Sequence, residues 1–282
     1  MEALQTAERV APDGTIDETL EKLRSLSLAD FGEILIRMPD PSFPALSRVL
    51  PKMADEAIQI SWTGNSGIGL LQQSLYFVRA IEAGWARITD TGLQGKRILD
   101  FGCGYGRIIR LMYYFTSPAC IWGLDPWSRS IEICQADRML GHFAVSDYLP
   151  TSLPVDGATF DLMYALSVFT HLSERAMLQA LATLRRHVAR RGVLAITVRP
   201  KEYWDAVPST DAYPIDNDRM RRLHEVVGFA FTPHQREPVD GDITYGDTSV
   251  SLDWIGQHVT GWQIAGCQAY HPLQVIVYLT PS

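Results

Sequence analysis

Apolar residues recur along this chain with two different periods. Ile16, Leu20 and Leu23 share one helix face, so Thr15–Leu28 reads as an amphipathic helix. Leu70–Ala83 reads as another, after the glycine-rich string SWTGNSGIG, and Pro39, Pro41, Pro44 and Pro51 cut the chain between the two into short pieces. From 96 to 200 short apolar runs alternate with helical patterns. The runs are Ile98-Leu99, Ala119–Leu124, Phe160-Asp161-Leu162 with the apolar run after it, and Val193–Val198; the helical patterns are Ile108/Leu111/Met112/Phe115, Ser128–Met139 and Ser173–Ala189, with Gly192 read as a helix end. Alternation of this kind predicts a parallel sheet covered by helices. After Pro200 the rhythm lapses. Arg219–Val227 reads as a helix stopped by Gly228, Phe229–Pro233 and Ile243–Val250 as strands with Asp240-Gly241 a turn between them, and Leu252–Val259 as a short helix. Trp262–Tyr270 and Leu273–Leu279 read as closing strands.

The chemistry concentrates where the first apolar run ends, in RILDFGCGYGRIIR over Arg97–Arg110. Asp100 is followed by glycine at every second position, Gly102, Gly104 and Gly106, and then by a helix pattern. Such a loop lets a ligand approach the backbone closely. A dinucleotide loop spaces its glycines GxGxxG. Here the third glycine comes one residue early and Arg107 stands where that pattern wants glycine. The second apolar run ends in Asp125, 19 residues past Gly106, where a doubly wound fold offers a carboxylate to a ribose diol.

DxGxGxG at 100–106, with these later segments in the same order, resembles the class I S-adenosylmethionine-dependent methyltransferases over roughly 100 residues. The resemblance implies a doubly wound, mostly parallel seven-stranded α/β sheet with an antiparallel last strand. It implies that S-adenosylmethionine is the cofactor and S-adenosylhomocysteine the product. It carries the loop role to Asp100, Gly102, Cys103, Gly104 and Gly106, the ribose role to Asp125, the adenine-face role to Pro126 or Trp127, and the adenine-amino role to Asp147 with Tyr148 beside it. Ala165, in the run that opens at Phe160, joins that set, and Trp62 and Thr63 are expected to close over the methionine end. The expected organisation is an N-terminal helical region over 1–95, a core over 96–200, an inserted substrate cap over 201–260 and closing strands over 261–282.

Charge and composition narrow the acceptor. A formal net charge of −7 argues against a nonspecific nucleic-acid binder. The acidic N-terminus lacks a signal-like apolar segment, and no run reaches the roughly 20 apolar residues of a membrane span. Cys103, Cys120, Cys134 and Cys267 form no CxxC pair and read as reduced residues of a cytoplasmic protein. The expected partner is a small molecule, with neither nucleic acid nor membrane, and a homodimer is left open.

Methyl transfer to oxygen benefits from a base. His171, in SVFTHL after the run that opens at Phe160, is the first candidate, with an ordinary pKa near 6.5. Tyr245, Asp247, His224 and His234 are further candidates in the cap. Asp216-Asn217-Asp218 lacks the partner carboxylate a magnesium site needs and reads as a solvated loop, so no metal is expected. The reading is an O-methyltransferase acting on a metabolite, sugar or natural product. A protein or RNA methyltransferase, a noncatalytic S-adenosylmethionine-binding protein and a nicotinamide oxidoreductase are its rivals.

Overall fold

The computed structural model describes residues 2–210 and 213–282. They fall into two compact units, divided between Val145 and Ser146.

The first unit opens with helices α1 (Glu2–Val10), α2 (Ile16–Leu23), α3 (Leu28–Ile36), α4 (Pro44–Val49), α5 (Glu56–Thr63) and α6 (Gly67–Thr89). The single helix expected over Thr15–Leu28 is two. Thr15 starts α2 with a reciprocal cap, its hydroxyl accepting from Glu18 N while the Glu18 carboxylate accepts from Thr15 N at 2.7 Å. The helix stops at Leu23 because Ser27 caps a new one. Conversely α6 is longer than its apolar pattern, running from a glycine turn to Thr89. Then come β1 (Ile98–Phe101), α7 (Arg107–Met112), β2 (Ile121–Asp125), α8 (Ser128–Ala136) and β3 (His142–Val145). β2 pairs in parallel with β1 and with β3.

Two arginines tie this N-terminal region to α7 and to the glycine turn before it. Arg24 donates to the carbonyls of Tyr113 (2.9 Å) and Thr116 (2.8 Å), just past α7. Arg110 is buried and donates to Tyr105 O (2.8 Å) and Lys52 O (2.7 Å). A buried guanidinium is tolerable only with such partners, so it fixes the loop and the 52 segment together.

The second unit holds β4 (Phe160–Ala165), α9 (Glu174–Arg185), β5 (Val188–Val198), α10 (Tyr203–Ala206), α11 (Asn217–Val227), β6 (Phe229–Pro233), β7 (Gly246–Val250), α12 (Leu252–His258), β8 (Trp262–His271) and β9 (Gln274–Pro281). β4 and β5 are parallel, β9 is antiparallel to both β5 and β8, and β6 and β7 form a separate antiparallel pair. The seven-stranded order is β3-β2-β1-β4-β5-β9-β8, the mostly parallel sheet with an antiparallel last strand that was expected. Asp240 and Gly241 both take positive φ between mutually bonded Val239 and Asp242, the two-residue turn the sequence called for.

One boundary differs by more than fraying. Gly192 does not end a helix, and Val188 does not belong to one. α9 stops at Arg185, and β5 already begins at Val188, opposite Phe160. The next pair is Val193 with Leu162, so residues 189–192 face the single Asp161 in a bulge. Arg190 and Arg191 point to solvent from that bulge, which is why a polar string lies inside a core strand. Gly192 itself is packed against backbone. A Cβ there would stand 2.8 Å from Phe160 O and 2.9 Å from Asp161 O. Neither carbonyl can swing aside as a side chain could, so Gly192→Ala is expected to cost about 2 kcal/mol. Urea denaturation checks this, and an unshifted midpoint would contradict the packing.

Candidate functional site

Ten of the expected residues belong to the first unit, on or beside one loop. Gly102, Gly104 and Gly106 all take positive φ (82°, 54° and 74°), which explains their period of two. At Gly106 a Cβ would also meet Met139 Cε at 2.6 Å. The loop's donors are spent inward. Gly102 N and Cys103 N both donate to Leu124 O (2.7 and 3.0 Å), and Gly106 N donates to Cys103 O (2.9 Å). Gly104 N donates to Asp125 Oδ2 at 2.9 Å, and Trp127 N donates to Asp125 Oδ1 at 2.9 Å. A phosphate cradle needs free N–H groups. This loop instead presents glycine Cα faces and a carboxylate.

Asp125 is nearly buried. Burial pushes its carboxyl above the ordinary range, against the pull of the Trp127 and Gly104 amides and the Ser130 hydroxyl. A carboxylate has about four acceptor positions, so these three partners leave room for a further donor such as a sugar hydroxyl. Asp100 is buried on β1, opposite Gly123. Cys103 is buried too, its thiol pushed well up by the neighbouring Cys134, by burial and by Asp100; it is an inert small residue.

Aromatic side chains sit over the loop. The Trp62 ring lies 3.7 Å from where a Gly104 Cβ would be. It stacks on Trp127 at 4.8 Å between centroids and tilts against Tyr105 at 5.7 Å. Trp127 keeps 49% of its surface exposed, beside a half-buried Pro126. The neighbouring Thr63 hydroxyl is committed to the end of α5, within reach of Gln59 O (2.6 Å) and Asn65 O (3.0 Å). Its side chain caps a turn.

The remaining expected residues belong to the second unit. Asp147 and Tyr148 are exposed at its start, and Ala165 is fully buried at the end of β4. His171 and Tyr245 come together, with rings stacked 4.9 Å apart at 7°. Around them lies a polar cluster whose members are far apart in sequence. Asp247 is its hub. Its Oδ1 accepts from Arg199 Nη1 at 2.6 Å and its Oδ2 from His234 Nε2 at 3.1 Å, and the Tyr203 hydroxyl faces it, while the Tyr213 hydroxyl donates to Thr232 O at 3.4 Å. Burial raises the Asp247 carboxyl, but the Arg199 charge and the other donors outweigh it, and the group lies below the ordinary range. Arg199 stacks over Tyr203 at 4.0 Å, and Arg236 over Tyr245 at 4.1 Å. Of these residues, the sequence had singled out His171, His234, Tyr245 and Asp247. Arg199, Tyr203, Tyr213 and Arg236 were missed. The one available signal was Arg199 itself, a charge directly after an apolar strand.

His171 does not suit the role expected of it. Its Nδ1 lies 2.7 Å from Gly246 O, so that nitrogen carries the proton. Its Nε2 lone pair then accepts from Arg199 Nη2 at 3.3 Å. Burial, then the Arg199 charge, push its pKa down to about 4, well below the 6.5 that recommended it. His224 is likewise structural. It is buried, its Nδ1 2.8 Å from Ser249 Oγ, which also takes the Trp204 indole N–H. Asp216 caps α11 by accepting from Arg219 N at 2.9 Å.

With this geometry, the comparisons can be placed. Residues 98–192 match the family model for a methyltransferase domain. Over 117 residues the chain is 30% identical to a tRNA U34 carboxymethyltransferase of Alcanivorax borkumensis, covering 40% of this chain and 35% of that protein. It therefore spans about a third of the length of that relative. Among solved structures, an S-adenosylmethionine-dependent methyltransferase from Clostridium acetobutylicum superposes with a TM-score of 0.53 at 10% identity, over 80% of this chain and 96% of that one. The PH0226 protein of Pyrococcus horikoshii gives 0.51 at 12% identity, over 82% and 100%. At these identities the likeness establishes the fold.

The His171 environment has a thermodynamic consequence. The unfolded chain takes up a proton near pH 6.5, while the folded one resists until about pH 4. Between those values the unfolded state binds more protons, so stability is full above pH 6.5 and is lost as pH falls towards 4. The loss is up to about 3 kcal/mol. His171→Asn is expected to flatten this stretch of the stability profile, measured by urea midpoints at pH 7, 6 and 5. Equal slopes in both proteins would contradict the assignment.

Proposed function

We propose that this protein, which carries a methyltransferase domain over residues 98–192, is an S-adenosylmethionine-dependent methyltransferase acting on the hydroxyl oxygen of a small metabolite, sugar or natural product. One observation carries the cofactor reading: a glycine loop with inward-turned amides, clasped by an acid that still has acceptor capacity. That donor set fits a ribonucleoside without a pyrophosphate. The Gly102–Gly106 backbone would take the amino-acid end, Asp125 the ribose, and Trp127 with Trp62 a planar base. When bound, S-adenosylmethionine supplies an electrophilic methyl carbon and a good thioether leaving group, and S-adenosylhomocysteine is the product. The chain's own task is then alignment, exclusion of water and removal of the acceptor's proton.

The formal net charge of −7 supports a small acceptor over a polyanion. The relative named for a tRNA position supports an RNA acceptor as the second reading. Transfer of labelled methyl to a pool of small hydroxyl compounds, run against total tRNA, separates the two. Label entering only the tRNA would overturn the small-molecule reading.

Calorimetry tests the cofactor reading directly. S-adenosylmethionine and S-adenosylhomocysteine are expected to bind, and NADH to give no heat. A charged hydrogen bond is worth about 1.5–3 kcal/mol, so Asp125→Ala is expected to weaken binding by roughly 10- to 150-fold. Binding of NADH alone, or undiminished affinity in Asp125→Ala, would overturn the assignment.

A further inference from the structure

Building on the methyl-transfer reading, we propose that His234, backed by Asp247, is the side chain that takes the proton of a hydroxyl-bearing acceptor, and that His171 is not. The two imidazoles meet the same buried carboxylate and arm of β5 in opposite ways. His171 has both nitrogens committed, Nδ1 to Gly246 O and Nε2 to Arg199. His234 has one. Its Nε2 donates to Asp247 Oδ2 at 3.1 Å, which fixes the tautomer and leaves the lone pair on Nδ1. Among the described residues that nitrogen has no hydrogen-bond partner, and 30% of the side chain is exposed. A carboxylate behind one imidazole nitrogen and an open lone pair on the other is the arrangement that lets histidine act as a base.

The surroundings set both the partner and the charge balance. His234 stands just past β6. Tyr213, ahead of α11, meets its ring edge-on at 4.7 Å. Tyr245, ahead of β7, does so at 5.4 Å, and His171, past β4, lies at 6.3 Å. Asp247 comes from β7. Arg199, past β5, reaches the site through Asp247, and Arg236 caps Tyr245. Rings stand around one bare acceptor, which suits a hydroxyl on a planar or sugar face. In the step, the acceptor O–H bond breaks and an N–H bond forms at His234 Nδ1. The oxygen keeps the bonding pair as its nucleophilic pair. The imidazolium is stabilised through its hydrogen bond to Asp247, and the proton later leaves to water. Asp247 is the positioning residue, acting through His234.

Diethyl pyrocarbonate is the probe, because it acylates imidazole nitrogens with an open lone pair and needs no acceptor. With peptide mass spectrometry, His234 is expected to react at least tenfold faster than His171. Asp247→Asn is expected to slow His234 several-fold, which a purely structural role would not do. Nitrogen-15 spectra of the intact protein are expected to show His234 protonated at Nε2 and His171 at Nδ1. If Asp247→Asn does not fold, those wild-type spectra and rates decide. The proposal is overturned by an inert His234, by equal rates for the two histidines, or by His234 protonated at Nδ1. His234→Gln is expected to bind S-adenosylhomocysteine within about twofold of wild type and to lose methyl transfer at least 100-fold wherever wild type shows it; retained transfer overturns the proposal. If wild type fails to bind S-adenosylhomocysteine, the cofactor reading beneath falls; if it binds and His234 is inert, only the base assignment falls.

Discussion

The first unit is organised around a carboxylate pinned between two backbone amides. Asp125 ends β2, and its oxygens reach Gly104 N in the preceding loop and Trp127 N at the start of α8. Those contacts hold a loop of three left-handed glycines in one shape and aim Trp127 past it. Arg110 then ties the loop carbonyl of Tyr105 to the Lys52 segment, and Arg24 ties the end of α2 to the chain past α7. A loop of glycines loses more conformational freedom on folding than any other. Without such anchors it would not stay open as a cradle.

The second unit repeats the principle with opposite electrostatics. Asp247 is buried and accepts from a guanidinium and an imidazole, with the Tyr203 hydroxyl beside it. A buried charge survives only when its acceptor positions are filled. That hub joins residues from the end of β5, the start of α10, the strand pair β6–β7 and the loop after β4. It also divides labour between two histidines, since the Arg199 that neutralises Asp247 is the group that occupies His171.

The alternating core was legible because buried parallel strands are written as short apolar runs, whereas the strand count and the antiparallel last strand came with the family resemblance. The glycine loop and Asp125 were legible because positive φ at three positions admits little but glycine. The Asp240-Gly241 turn was legible for the same reason. The bulge at 189–192 was not, because Ala-Arg-Arg-Gly reads as a frayed helix end until its partner strand is known. Nor was the state of His171. Position after a strand suggests a base, but the neighbours that empty it of that role, Arg199 and Gly246, are 28 and 75 residues away. Thr63 misled in a similar way, since a hydroxyl near a ligand loop can be spent on its own helix end.

The account stands on the Asp125 clasp, and amide hydrogen exchange reads it residue by residue. The Gly104 and Trp127 amides are predicted to be strongly protected in the protein alone, and that protection is predicted to vanish in Asp125→Ala while the β2 amides of Leu124 and Gly123 stay slow. Fast exchange at Gly104 in the wild type, or protection that survives loss of the carboxylate, would contradict it.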